Sequence, residues 1–242
     1  MSHRARAAPP LLEARVGTAS VWCTGRAHGN LGDHVGDDPV VVARNRAALV
    51  ERIGPAGPQE WVWLRQVHGA AVHIATRSGT GLGVDPPPVA DAVVTTARGV
   101  ALAVVTADCA PLVVACDDAI GVVHAGYRGL AAGVIEAAIA RLREIGTGDV
   151  RAFLGPCIRA PRYEFGADDL APFVAQFGSV VEGRTRDGRT ALDIPAAIRV
   201  VLERSRVIAF DDCGVCTADS DGYFSYRGGA DTGRQATVVV RA

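Results

Sequence analysis

Apolar runs rich in β-branched residues recur at WVWLRQV, AVHIAT, AVVTT, ALAVVT, LVVAC, IGVVH, VRAFLG, VIAF and ATVVVR, and they predict strands. A helical period appears in RNRAALVERIG, in LAAGVIEAAIARLREIG, where Leu130, Val134, Ala138 and Leu142 recur every four residues, and in DIPAAIRVVLERS. Asp193 is placed to cap the last of these, with Pro195 in its first turn. Several strands arrive consecutively between Ala92 and His124 before the long helix begins, so a regular βα alternation fails. The pattern predicts an α/β sandwich with mixed sheets and not a Rossmann sheet. GPAGPQ and SGTGLGVDPPP read as surface loops.

With 242 residues, 49% hydrophobic and 21% charged, the chain can bury one substantial core, and no internal repeat divides it. The expectation is a single domain over residues 19–242 behind a flexible N-terminus at 1–18. A formal charge of −1 gives no global reason to expect nucleic acid or an anionic membrane as partner. The longest apolar runs, VALAVV and PLVVAC, are far below the roughly 18 residues of a membrane span, so a soluble protein is expected. The positively charged start is broken by two prolines and Glu13, which argues against a signal peptide. Six irregularly spaced cysteines in a chain of this size suit a reducing cytoplasm, and CGVC at 213–216 has no second CxxC to complete a metal or redox motif. With 5% aromatic residues and no surplus amphipathic helix, a monomer is expected.

Cys109 and His124 lie beside turns that follow apolar runs, and His68 in RQVHG has the same setting. Taken singly, each is an ordinary strand-end or core residue. Their shared placement predicts that one thiolate and two imidazoles meet, a set that suits zinc. Three protein ligands leave room for a water, the arrangement of catalytic rather than structural zinc. Gly126 and Gly129 in AGYRGL permit a tight turn with outward N–H groups, and Arg128 adds a planar fork for phosphate, or pairs with a nearby acid. Asp108 is a candidate general base, with turn capping as the alternative. Gln66 is a candidate to hydrogen-bond a base or ribose, or a strand-edge polar residue. Near the C-terminus, Tyr226, Arg227 and Arg234 can close over a polar ligand or simply form a loop and a last strand.

Through LGDHVGDDPVVVARNR, QVHG, DAVVT, TADCAPLVV, VVHAGYRGL, FLGPCI, CTADSDGYFSYR and TGRQA, in that order, the chain resembles the laccase-domain family, also called multicopper polyphenol oxidases and now regarded as multifunctional purine nucleoside phosphorylases. The resemblance implies a four-layer α/β/β/α sandwich with metal on His68, Cys109 and His124. It also implies phosphorolysis of adenosine, inosine and methylthioadenosine to free base and ribose 1-phosphate, together with adenosine deamination. Arg46 and Arg227, within the resembling segments, are read as further substrate contacts. The loop that usually contains GGVS is shortened to AHG between Arg26 and Asn30, a departure from the family pattern.

A multicopper oxidase needs more histidines than the six present, and the only methionine is Met1, which leaves Gln66 as the substitute axial ligand for a single copper. Zinc and purine chemistry therefore rank above copper and phenol oxidation. Two further readings use the same residues: a metal-free thiol hydrolase with Cys109 as nucleophile and His124 as base, and a non-catalytic nucleoside sensor.

Overall fold

The computed structural model describes residues 11–53, 58, 60–76 and 86–241; GPAGPQ and SGTGLGVDPPP lie largely outside them. The five-stranded sheet runs β1 (Leu12–Val16), β2 (Ala19–Cys23), β13 (Gln235–Arg241), β6 (Val100–Thr106), β3 (Glu60–Trp63). The six-stranded sheet runs β12 (Ala209–Asp212), β9 (Arg151–Leu154), β7 (Ala110–Ala115), β8 (Ile120–Ala125), β5 (Ala92–Thr95), β4 (Val72–Ile74). Parallel pairing of β3 with β6, β4 with β5 and β12 with β9 among antiparallel neighbours makes both sheets mixed. A small hairpin, β10 (Glu182–Arg184) and β11 (Thr190–Leu192), stands apart.

Side-chain alternation builds the layers. On β6, Val100, Leu102 and Val104 face the second sheet, where Val113, Ile120, Val122 and Phe153 meet them. Ala101, Ala103 and Val105 face the other way, toward Leu49 of α1 (Pro39–Ile53) and the Trp61 and Trp63 rings. On the far side, Leu112, Val114, Val123 and Ala125 pack on α3 (Val134–Ile145), α4 (Ala167–Phe177) and α5 (Ile194–Arg204). The result is the expected α/β/β/α sandwich. Because β6, β7 and β8 are buried on both faces, their sequences are continuous apolar runs and not alternating ones.

Several expectations need correction. The flexible terminus expected over 1–18 includes β1, which pairs with β2 along its whole length from Leu12↔Cys23 to Val16↔Ala19. The long helix breaks into α2 (Tyr127–Ala131) and α3 at Gly133, whose φ of 84° is left-handed. Leu130, Val134, Ala138 and Leu142 are nevertheless all buried, as their spacing required. Helix α4 went unpredicted because Pro172 sits inside it, where a missing N–H normally argues against a helix. The Asp193 cap holds: its carboxylate accepts from Ala196 N–H at 2.9 Å, with Pro195 in the first turn. No helix among the described residues is long and apolar enough to cross a membrane.

Candidate metal centre and its cavity

His68 follows β3, Cys109 sits where the chain passes from β6 of one sheet to β7 of the other, and His124 is near the end of β8. Two left-handed residues make this convergence: His68 with φ 58° and Asp108 with φ 88°. For non-glycine residues such backbone is uncommon and concentrates at functional sites. At Asp108 it breaks strand alternation, so neighbouring Asp108 and Cys109 both line one cavity. The ligand atoms of His68, Cys109 and His124 all lie within 4.8 Å of one another. The two imidazole rings meet edge to face, with centroids 4.7 Å apart.

Buried Asp91, at the start of β5, organises this cluster. Its Oδ1 accepts from the His68 N–H at 2.9 Å and faces His124 Nδ1 at 2.8 Å. Its Oδ2 accepts from the N–H groups of Gly69 at 2.7 Å and Val67 at 3.2 Å. One carboxylate therefore fixes both the loop that carries His68 and the ring of His124, leaving the other nitrogen of His124 for a ligand. Asp91 was not predicted as a site residue. The signal was an acid opening the apolar strand AVVT, a position with no solvent to justify a charge.

Burial pushes the Cys109 thiol up, but the His124 charge and hydrogen bonds from His124 and His68 outweigh it and hold the thiol near 6. Burial in turn lowers His124, while the Cys109 thiolate and Asp91 raise it to about 9. Each group thus favours the charged form of the other, and the thiolate binds a soft or borderline cation once the imidazole is neutral. A thiolate, two imidazoles and an orienting carboxylate fit a bound metal ion.

The centre opens into a cavity of about 440 Å³ whose walls include Tyr127, Tyr163, Tyr226, Arg128 and Arg227. A volume in this range accommodates a small-molecule ligand. The Tyr127 and Tyr163 rings each pack edge-on against Phe165 at 5.5 Å, which anchors them in the core under α4. Sequence reasoning passed over Tyr127, Tyr163, Ile158 and Ile194; Tyr127 lies inside HAGYRG, but the other three come from segments without chemical character. Arg128 is exposed and lies over the Tyr127 ring at 5.3 Å. Arg227 lies over the Tyr163 ring at 4.8 Å. Neither guanidinium makes an ion pair among the described residues.

Other predicted residues do different work. Asp108 accepts from Thr217 Oγ1, Ser225 Oγ and the Arg227 N–H, all at 2.7 Å. Three of its roughly four acceptor positions are filled, so it ties the C-terminal segment to the site. Gln66 spends its amide on both backbone groups of Val105 at 2.8 Å, extending β6 pairing, and is not among the residues that line the cavity. Arg46 lies in another cavity, bonded to the Leu31 carbonyl and stacked 4.2 Å over Trp63. Gly126 and Gly129 stand where a side chain would not fit. A Cβ at Gly126 would fall 2.6 Å from His68 Nδ1 and 3.2 Å from Cys109 Sγ, and one at Gly129 would fall 2.9 Å from the Gly69 carbonyl. Among the described residues the remaining histidines, His28, His34 and His73, join no metal-type cluster.

Fold and site together define a class: a four-layer mixed α/β protein whose strand ends bring a thiolate and two imidazoles into an aromatic-walled cavity. The chain belongs to the family described as multi-copper polyphenol oxidoreductase laccase, which it matches over residues 14–242. It is 40% identical over 215 residues to a Streptomyces coelicolor protein named purine nucleoside phosphorylase, covering 87% of this chain and 86% of that one. A Corynebacterium glutamicum protein of the same name is 38% identical over 216 residues, with 87% and 85% covered. Among solved structures, a Neisseria meningitidis protein superposes with a TM-score of 0.83 at 31% identity, covering 96% of this chain and 99% of that one. YlmD from Geobacillus stearothermophilus gives 0.79 at 29% identity, covering 92% and 91%.

Proposed function

We propose that this chain is a zinc-dependent purine nucleoside enzyme that splits nucleosides with phosphate and also deaminates adenosine. The observation that carries the reading is the His68, Cys109 and His124 cluster at one end of a cavity with tyrosine walls and two guanidiniums that have no carboxylate partner among the described residues. The names of the Streptomyces and Corynebacterium relatives support the substrate class. Zinc is preferred over copper because Gln66, the one substitute for an axial methionine, has its amide engaged by Val105.

In phosphorolysis a phosphate oxygen bonds to the ribose carbon as the bond to the base nitrogen breaks, and the base leaves with that electron pair and takes up a proton. Arg128 and Arg227 orient the phosphate and spread its charge. The tyrosine rings hold the purine plane, and Asp108 keeps Tyr226 and Arg227 in place through the Ser225 and Arg227 bonds. In deamination, water oxygen replaces the amino group of the purine, and ammonia departs. Bound zinc supplies a Lewis acid and a water of lowered pKa. Asp91 holds the His124 ring in position throughout.

The test is chromatography of products from metal-quantified protein incubated with adenosine, with and without phosphate and with a chelator. Phosphate-dependent adenine and phosphate-independent inosine, both lost on chelation, are expected. The Cys109 thiolate beside His124 also favours a second reading, a thiol hydrolase. That enzyme would keep its activity in chelator, and such a result refutes the zinc assignment.

A further inference from the structure

A second cavity of about 490 Å³ adjoins the first, and Arg227 lines both. Its other basic walls are Arg162, Arg186 and Arg189. The turn of the β10–β11 hairpin is held rigidly: Thr185 Oγ1 donates to Asp187 at 2.6 Å and accepts from the Arg189 N–H at 2.9 Å. The Arg186 N–H bonds the Pro161 carbonyl at 3.1 Å, which ties the turn to the segment carrying Arg162.

Part of the arrangement is an ordinary solvated ion-pair network. Asp219 is shared by Arg162 at 3.2 Å and Arg186 at 2.9 Å. Arg189 meets Asp187 at 2.8 Å and also Glu164. The Arg227 guanidinium bonds only the Glu164 carbonyl oxygen, at 3.0 Å, and makes no ion pair among the described residues. Three guanidiniums thus meet three carboxylates and the fourth, that of Arg227, meets none among the described residues; each keeps donors free, since a guanidinium offers five. Exposed pairs of this kind contribute little to stability, so an incoming dianion displaces them at small cost.

We infer that this cavity is a phosphoryl subsite, and that the protein takes purine nucleoside 5′-monophosphates with the base and ribose in the first cavity and the phosphoryl group among these arginines. The inference rests on the nucleoside reading for the first cavity only. Bridging by Arg227 is what joins the two: a group extending from a ribose held beside it enters the basic annex directly.

Calorimetric binding of adenosine 5′-monophosphate, adenosine and ribose 5-phosphate to the full chain tests this. Adenosine 5′-monophosphate is expected to bind about tenfold or more tightly than adenosine, through charge-assisted bonds that weaken with salt. The R186Q/R189Q double variant, altered at side chains 63% and 57% exposed, should fold normally and lose that advantage while binding adenosine unchanged. Asp219→Asn, which frees Arg162 and Arg186, should tighten the monophosphate further. Equal affinity for monophosphate and nucleoside in the unaltered protein, or an advantage that survives in the double variant, overturns the inference. If adenosine itself fails to bind, the nucleoside reading falls. Ribose 5-phosphate then tests the annex alone, through binding that the double variant must lose.

Discussion

At the scale of single residues, Asp91 holds much of the site together although it is not among the residues that line the cavity. Both oxygens are occupied, by His68 N–H and His124 on one side and by Gly69 and Val67 N–H on the other. Asp91→Asn keeps the shape but sets an NH₂ donor against groups that themselves donate. Metal affinity is expected to fall about 10–100-fold, as it does when an orienting partner of a ligand histidine is removed. Stability should fall by about 1–3 kcal/mol for the buried donors left unpaired. Zinc competition against a chromophoric chelator and urea unfolding measure the two effects; unaltered zinc affinity would show that Asp91 does not position the ligands. His68, Cys109 and His124 were legible because their chemistry is intrinsic to the side chain. Asp91 was less so, because its role lies in backbone groups that only the folded loop presents. The partners of Gln66 and Asp108 were hidden for the same reason: the Val105 backbone engages the first, and the Thr217 and Ser225 hydroxyls with the Arg227 N–H engage the second, only once the chain has folded.

At the scale of elements, the junction of β8 and α2 decides whether the ligands can meet. Gly126 caps α2 with φ −71°, a conformation open to any residue, so its requirement is space and not backbone freedom. The absent Cβ is what lets His68 and Cys109 approach. Gly126→Ala should therefore leave the melting temperature nearly unchanged while reducing turnover about 100-fold, the usual effect of displacing a reacting group by an ångström. Normal turnover in this variant would show that the ring can shift without cost. The central strands and α5 were readable because buried β-strands are apolar at every position and the Asp193 cap is local chemistry. Strand β1 and helix α4 were not. The first draws its stability from pairing with β2, and the second keeps Leu170, Phe173 and Phe177 in the core in spite of Pro172. Tertiary packing supplied what local sequence withheld.

At the scale of the whole molecule, the outermost strand of the six-stranded sheet is fastened by an ion pair spanning 53 residues. Arg159, just past β9, grips Asp212 at the end of β12 with two bonds of 2.7 and 2.6 Å, and Asp212 also accepts from the Gly214 N–H at 2.9 Å. Burial pushes the Asp212 carboxyl up, but Arg159 and Gly214 outweigh it and hold it below the ordinary carboxylate range. Protons therefore bind the unfolded chain more readily than the folded one. The stabilisation is complete above the unfolded value of about 3.9 and is lost as pH falls through the folded value. Asp212→Asn should cost about 1.5–3 kcal/mol at pH 7, toward the lower end because the partners remain 18% and 19% exposed. Urea unfolding of both proteins at pH 7 and again near pH 3 measures this, with the gap between them narrowing at the lower pH. A gap that is the same at both pH values would mean that the variant acts through something other than the lost charge, such as the NH₂ donor that the amide sets against the Arg159 guanidinium.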